Sequence, residues 1–403
     1  MTAPSIGLFL GRPERSARLA RGLRDRGFPV THYNVPGFEG DPYVAVRGRF
    51  VAALSRCLRT DHDVYCTGLS HVPSTCLYLN RKLRGRPYVF NATGAKWEMF
   101  HDRSKHRLLS GVFERRIHPF LLDRAYAGAD RIVTNSRFLE AKIAERFPAY
   151  RDRLLTIYNG IDVERYSSGE PRALPGIGRG DFVILCVTAL NYRNKSSGLR
   201  LVFDAFREVS AREPRAKLVV AAKTSDPAYR EFAVACVERK GVGDSTVLVF
   251  NDSNVPGLLA SADVFLYATP DDSNDSLPRA LLEAQAAGVP AVTTATSGCP
   301  EIVADGETGR AVDYDAESLA AAVLELAHST RKRQAMGGAA AERVRRVFSW
   351  DQMANRYAAV FRQIAAQPAA KSSPSPALRA ASPQGERRTR MTDTADRSRG
   401  AQR

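Results

Sequence analysis

Short apolar runs alternate with stretches of helical periodicity along most of the chain. In the first half, Ile6–Leu10, Val30–Tyr33, Val64–Cys66, Tyr88–Phe90 and Ile132–Thr134 have the length and composition of buried strands. Ser16–Arg26 repeats apolar residues at helical spacing, and Gly27 closes it. The second half keeps the rhythm. Phe182–Val187, Leu218–Ala221, Val247–Phe250, Val264–Tyr267 and Ala291–Thr293 read as strands, with helices over Leu199–Ala211, Tyr229–Lys240 and Leu281–Ala287. Strands that alternate with helices pair in parallel, and the helices cover both faces of the sheet. The pattern therefore predicts an α/β fold, and 403 residues are more than one ordinary core organises.

Two stretches break the rhythm. Residues 169–180 are rich in Gly and Pro and read as a linker between the halves. From Pro368 to Arg403 the chain is mostly Ala, Ser, Pro and Arg; it cannot bury enough surface to offset its ordering entropy and is expected to be disordered. No run approaches the roughly 18 consecutive apolar residues of a membrane span. The first ten residues lack the basic and apolar regions of a signal peptide, so a cytoplasmic location is expected. Cys57, Cys66, Cys76, Cys186, Cys236 and Cys299 are scattered without metal-ligand spacing and read as reduced structural thiols. His101 and His106 are out of helical phase for joint ligation, so no metal site is expected.

Charge adds an asymmetry. Residues 1–150 hold 25 Lys/Arg against 13 Asp/Glu, residues 151–367 hold 26 against 27, and the tail holds 8 against 3. The first half thus carries most of the excess that makes the chain +16, with the tail supplying the rest, which points to an acidic partner for that half. Within it, residues 103–119 mix cations with Leu108, Leu109, Val112, Phe113 and Ile117. Such a helix either packs on the sheet or lies on an anionic membrane. Nucleic acid explains the charge less well, because no reading motif accompanies it.

The densest chemistry lies between Asn274 and Pro290. Asp275 and Glu283 flank the start of a helix that has Pro278 in its first turn and that Gly288 and Pro290 end. A helix N-terminus suits a phosphate, and acids on either side suit a ligand with hydroxyls, so the stretch suggests a sugar nucleotide.

Four segments carry a resemblance to GT-B retaining glycosyltransferases, close to family 4 (glycosyl transferases group 1). They are Tyr158–Tyr166 with its Asn-Gly-Ile-Asp, the strand Ala262–Pro270, the acidic-x7-Glu stretch Asp275–Pro290 with Ser297–Val303 and Asp305–Gly309, and Phe348-Ser-Trp-Asp351 with its following helix. The resemblance implies two Rossmann-like, doubly wound domains facing across a cleft: residues 1–168 for the acceptor, with 350–366 crossing back to them, and 181–349 for the donor. It implies that Glu283 grips ribose, with Ser276, Leu277, Arg279 and Ala280 around the donor and the N–H groups of Arg279 and Ala280 toward phosphate. Asp275, where many relatives have Glu, would contact the donor sugar; a helix N-cap is its alternative role. Lys195 matches the phosphate lysine. Many relatives carry an Arg where this chain has Leu190, and Arg193 is the candidate substitute. In the first domain, Gly11 and Arg12 stand where many relatives have a Gly-Gly loop. Asn91–Ala95, with Thr93 and Gly94, would line the cleft, while His101 and Asp102 lie beyond without an assigned role.

No Asp-x-Asp signature follows a strand near these residues, and Asp271-Asp272 reads as loop solvation or a cap. The resemblance then implies metal-independent transfer from a nucleotide sugar, with retention and without a cofactor. The acceptor would be a cell-surface glycan or a lipid-linked sugar, met in the cytoplasm or at the inner face of the membrane. A sugar-nucleotide epimerase and a non-catalytic glycan- or nucleotide-binding relative are the alternatives.

Overall fold

A computed structural model describes residues 2–10, 13–33, 55, 58–68, 71–92, 118–190, 193–270, 273 and 275–367. The tail from Pro368 and the basic stretch 103–117 lie outside the described residues. Among the described residues, the strands form two six-stranded sheets. The first contains β1 (Ile6–Phe9), β2 (Val30–His32), β3 (Val64–Thr67), β4 (Tyr88–Ala92), β5 (Arg131–Thr134) and β6 (Leu154–Thr156), in the order β2-β1-β3-β4-β5-β6. The second contains β7 (Phe182–Ala189), β8 (Ala216–Lys223), β9 (Thr246–Phe250), β10 (Val264–Tyr267), β11 (Ala291–Thr294) and β12 (Gly309–Val312), in the order β12-β11-β10-β7-β8-β9. Every strand pairing within these sheets is parallel.

Parallel sheets need both faces covered, and alternate residues of each strand supply the two cores. On β7, Ile184 and Cys186 join one apolar cluster while Val183 and Leu185 join the other. In the first sheet Val64 and Cys66 face one side, and Tyr65 faces the other. Cys66, Cys76, Cys186, Cys236 and Cys299 are free thiols buried in these cores. Burial pushes the thiols of Cys66, Cys186 and Cys299 up to about 12, so they stay protonated.

The last described helix, Trp350–Ala365, belongs to the first sheet's core. Ser349 caps it by accepting from the Gln352 N–H at 3.2 Å. Its apolar stripe of Met353, Tyr357, Ala358, Phe361 and Ile364 packs among Ile6, Leu19, Leu23, Val64, Val89 and Val133. Arg26 of the helix Pro13–Arg24 region pairs with Asp351. Where the chain crosses between sheets, the Ile161 N–H donates to the Phe348 carbonyl at 2.8 Å, so the two crossings run side by side.

Residues 169–180 do not hang free between the halves. Leu174 and Ile177 pack into the second sheet's core, and Arg172 pairs with Asp252 at 2.5 Å. No described helix is long and apolar enough to cross a membrane.

Candidate functional site

In both sheets the strand order reverses beside the first strand: between β1 and β3, and between β7 and β10. Open parallel sheets bind ligands beyond the carboxyl ends of the strands at such points. In the second sheet Lys195 and Asp275, both singled out by sequence, converge there. Beyond β7 the chain turns into the helix Arg193–Arg212, which places Lys195 in the first helical turn rather than in a preceding loop. Tyr267 ends the neighbouring strand β10, and Asp275 follows in the next loop. Lys195 Nζ donates to Asp275 Oδ2 and to the Tyr267 hydroxyl, and that hydroxyl donates to the same Asp275 oxygen.

The two charges of this trio are largely shielded, with side chains 18% and 15% exposed. Tyr267 is buried, and burial together with the Asp275 carboxylate pushes its phenol well above the ordinary value. It therefore keeps its proton and remains a donor. The helix dipole adds positive potential at its N-terminus, where Lys195 already stands. Gly198 permits the close approach: a Cβ there would lie 2.0 Å from the Ala268 carbonyl oxygen.

A bed of hydroxyls holds the loop that carries Asp275. Thr269 and Ser273 share a 2.7 Å hydrogen bond, Ser273 accepts from the Asp275 N–H at 3.1 Å, and Ser297 reaches Ser273 at 3.2 Å. Thr294 donates to the Thr269 carbonyl at 3.0 Å. Ser297 adopts φ 52°, and a Cβ on the adjacent Gly298 would lie 1.9 Å from the Ser276 carbonyl oxygen. The hydroxyl-rich run Thr293–Ser297 is the signal in the sequence for this support.

Glu283 lies one helix further on. The helix Arg279–Ala286 begins at Pro278, which makes no side-chain cap, so the alternative of Asp275 as N-cap does not hold. The first N–H groups of the helix, on Arg279 and Ala280, have no intrahelical acceptor by geometry. Glu283 Oε1 accepts from the Tyr166 hydroxyl at 2.7 Å and from Arg279 Nε at 2.9 Å. Burial and Glu283 push the Tyr166 phenol up to about 12. Leu277 and Ala280 are half-buried against the second core.

Other residues take different places from those expected. Ser276 is committed across the cleft, donating to Asn135 Oδ1 at 3.1 Å just beyond β5. Leu190 is a core side chain, fully buried, with its N–H donating to the Lys223 carbonyl at 2.9 Å. Asn91 does not follow β4 but belongs to it, and its amide donates to the Tyr357 hydroxyl at 2.6 Å rather than lining the cleft. Arg193 opens its helix, and its side chain lies outside the described residues. Gly11, Arg12, Thr93, Gly94, His101, Asp102, Asp271 and Asp272 also lie outside them.

A second bridge between the sheets was not foreseen. Glu301, in the short helix Cys299–Ile302, accepts from the N–H groups of Arg137 and Phe138 at 2.8 Å each and from the Tyr158 hydroxyl at 2.9 Å. It supplies a negative charge to the N-terminus of the first sheet's helix Arg137–Arg146.

Comparisons with known proteins agree with this architecture. Residues 170–343 match the family model described as Glycosyl transferases group 1, and residues 14–165 match that of Glycosyltransferase Family 4. The D-inositol 3-phosphate glycosyltransferase of Corynebacterium aurimucosum is 27% identical over 325 residues, covering 75% of the chain and 73% of that protein. Spore coat protein SA of Bacillus subtilis is 24% identical over 57% of the chain and 64% of its own length, less than two thirds of it. Among solved structures, Anabaena HepE in complex with UDP and glucose aligns with a TM-score of 0.65 at 16% identity, covering 89% of the chain and 99% of that one.

Proposed function

Because the chain belongs to the group 1 glycosyltransferases of GT-B fold, resembling family 4, we propose that it moves a sugar from a nucleotide-diphosphate donor to a hydroxyl acceptor with retention of configuration. The observation that carries this reading is the Lys195–Tyr267–Asp275 trio at the second sheet's reversal point, with Glu283 on the adjoining helix. Lys195 and the free N–H groups of Arg279 and Ala280 suit a diphosphate. Glu283 suits the ribose hydroxyls, and Asp275 suits the hydroxyls of the sugar.

In this reaction the bond from the sugar's anomeric carbon to the phosphate oxygen breaks, and its electron pair stays on the departing diphosphate. The acceptor oxygen bonds to the same face of the sugar, and its proton passes to the departing phosphate. Lys195 stabilises the charge that develops on the leaving group, and the enzyme's other contribution is positioning. The scheme uses no metal, so turnover is expected to persist in EDTA.

The basic first half, +12 over residues 1–150, favours an acceptor that is lipid-linked or part of a growing surface glycan, met at an anionic membrane. Flotation with anionic vesicles at low salt checks that part; a protein that stays at the bottom of the gradient contradicts it. The reaction itself is tested with a panel of nucleotide sugars in a thermal-shift assay. A true donor at 100-fold its Kd stabilises the fold by about 2.7 kcal/mol and is consumed on addition of acceptor. Absence of any shift across UDP-, GDP-, ADP- and dTDP-sugars sinks the proposal.

A further inference from the structure

The two acids of the site share one feature. In each, both hydrogen bonds fall on a single carboxylate oxygen, and one of the two donors is a buried tyrosine. Glu283 receives Tyr166 and Arg279 on Oε1; Asp275 receives Tyr267 and Lys195 on Oδ2. A carboxylate oxygen has two lone pairs, so this pattern fills one oxygen of each acid and leaves Oε2 and Oδ1 to accept from a ligand. We infer that Tyr166 and Tyr267 are positioning residues, which orient Glu283 toward the ribose and Asp275 toward the sugar of the donor. The inference rests on the donor reading above.

The tyrosines, rather than the cations, are the fixed partners. Arg279 is 62% exposed, and exposed ion pairs hold geometry weakly. Lys195 is assigned to the diphosphate as well, and its ammonium sits on a flexible four-carbon stem, so it shares its donors between Asp275 and the ligand. Tyr166 and Tyr267 have no such freedom. Both rings are packed in the same apolar cluster of the second sheet, with Val163, Leu281, Leu282 and Phe265. A buried ring with two side-chain torsions holds its hydroxyl in place at little further entropic cost. Tyr166 comes from the short helix Val163–Ser167, beyond the crossing from the first sheet, and Tyr267 from the end of β10. The two acids are thus set by different parts of the chain. Both phenols titrate far above neutrality, so both remain donors throughout the working range.

Tyr166→Phe and Tyr267→Phe keep the rings and remove only the hydroxyls. In calorimetric titration of the full chain with UDP and with GDP, Tyr166→Phe is expected to weaken whichever binds wild type by roughly tenfold. Tyr267→Phe is expected to keep that affinity within about threefold and to lower kcat about tenfold on the nucleotide sugar that wild type consumes. A double-mutant cycle separates positioning from general support: Tyr166→Phe must add almost nothing in a Glu283→Ala background, whereas a merely structural role is additive. Additive losses, or tyrosine variants that bind and turn over like wild type, overturn the inference while Glu283→Ala still loses nucleotide. If Glu283→Ala binds nucleotide as well as wild type does, the donor reading itself fails.

Discussion

The two sheets are built on the same plan, yet they complete themselves differently. The second sheet buries its faces with helices from residues 193–347 and with the short helix Val163–Ser167 that directly precedes it in the chain, and its reversal point carries a polar set in which every described charge has a partner. The first sheet borrows one face: its core includes Met353, Tyr357, Phe361 and Ile364, from the end of the described chain. One half has near-neutral charge and is built from chain segments that follow one another; the other is a strongly basic unit that is finished only when the chain returns to it. Stability and chemistry are therefore coupled through the crossings and bridges between the sheets.

The largest expected effect follows from the borrowed face. Each of those four buried side chains is worth about 1.5–3 kcal/mol, and a folded domain has only about 5–15 kcal/mol in total. Ending the chain after Phe348 should therefore unfold the first sheet while leaving the second ordered. Hydrogen exchange reads this directly, as lost protection in β1 to β5 with β7 to β11 retained. Equal loss in both sheets would break the comparison.

A smaller effect is expected at the bridge. Glu301→Ala leaves the N–H groups of Arg137 and Phe138 without their acceptor, a loss of about 1–3 kcal/mol. Because Glu301 touches neither Lys195 nor Glu283, the change should fall on the relation between the sheets, raising KM for acceptor several-fold with little change in nucleotide affinity. Steady-state kinetics with acceptor varied, alongside nucleotide titration, checks this. The smallest effect belongs to Arg279→Ala: an exposed pair contributes at most about 1 kcal/mol, so nucleotide affinity should fall by less than about fivefold in the same titration.

Sequence reading reached the strands with long apolar runs and missed one strand in each sheet. Both omissions are edge strands, β6 (Leu154–Thr156) and β12 (Gly309–Val312), each short and mostly half-buried. An edge strand is held by backbone pairing on one side, and that leaves little trace in side-chain periodicity. The start of the helix at Arg193 was missed for a related reason: its first turn is polar because it borders the site, so the apolar pattern begins only at Leu199. Asp275 and Glu283 were legible because they stand eight positions apart in one short stretch, and Lys195 because its segment resembles the phosphate-lysine segment of the family. Tyr166 and Tyr267 stood inside the quoted segments but were given no role, because their partners are 117 and 8 residues away and only the folded chain brings the rings beneath the acids. Glu301 was hidden in the same way, 164 residues from the helix start that it caps.

The central claim is that Lys195 stabilises a departing diphosphate at the second sheet's reversal point. The most direct measurement is kcat for donor consumption by Lys195→Ala beside wild type, with both proteins folded by hydrogen exchange. The account predicts a fall on the order of 10²-fold or more. Turnover at the wild-type rate would remove Lys195 from the chemistry and contradict the account.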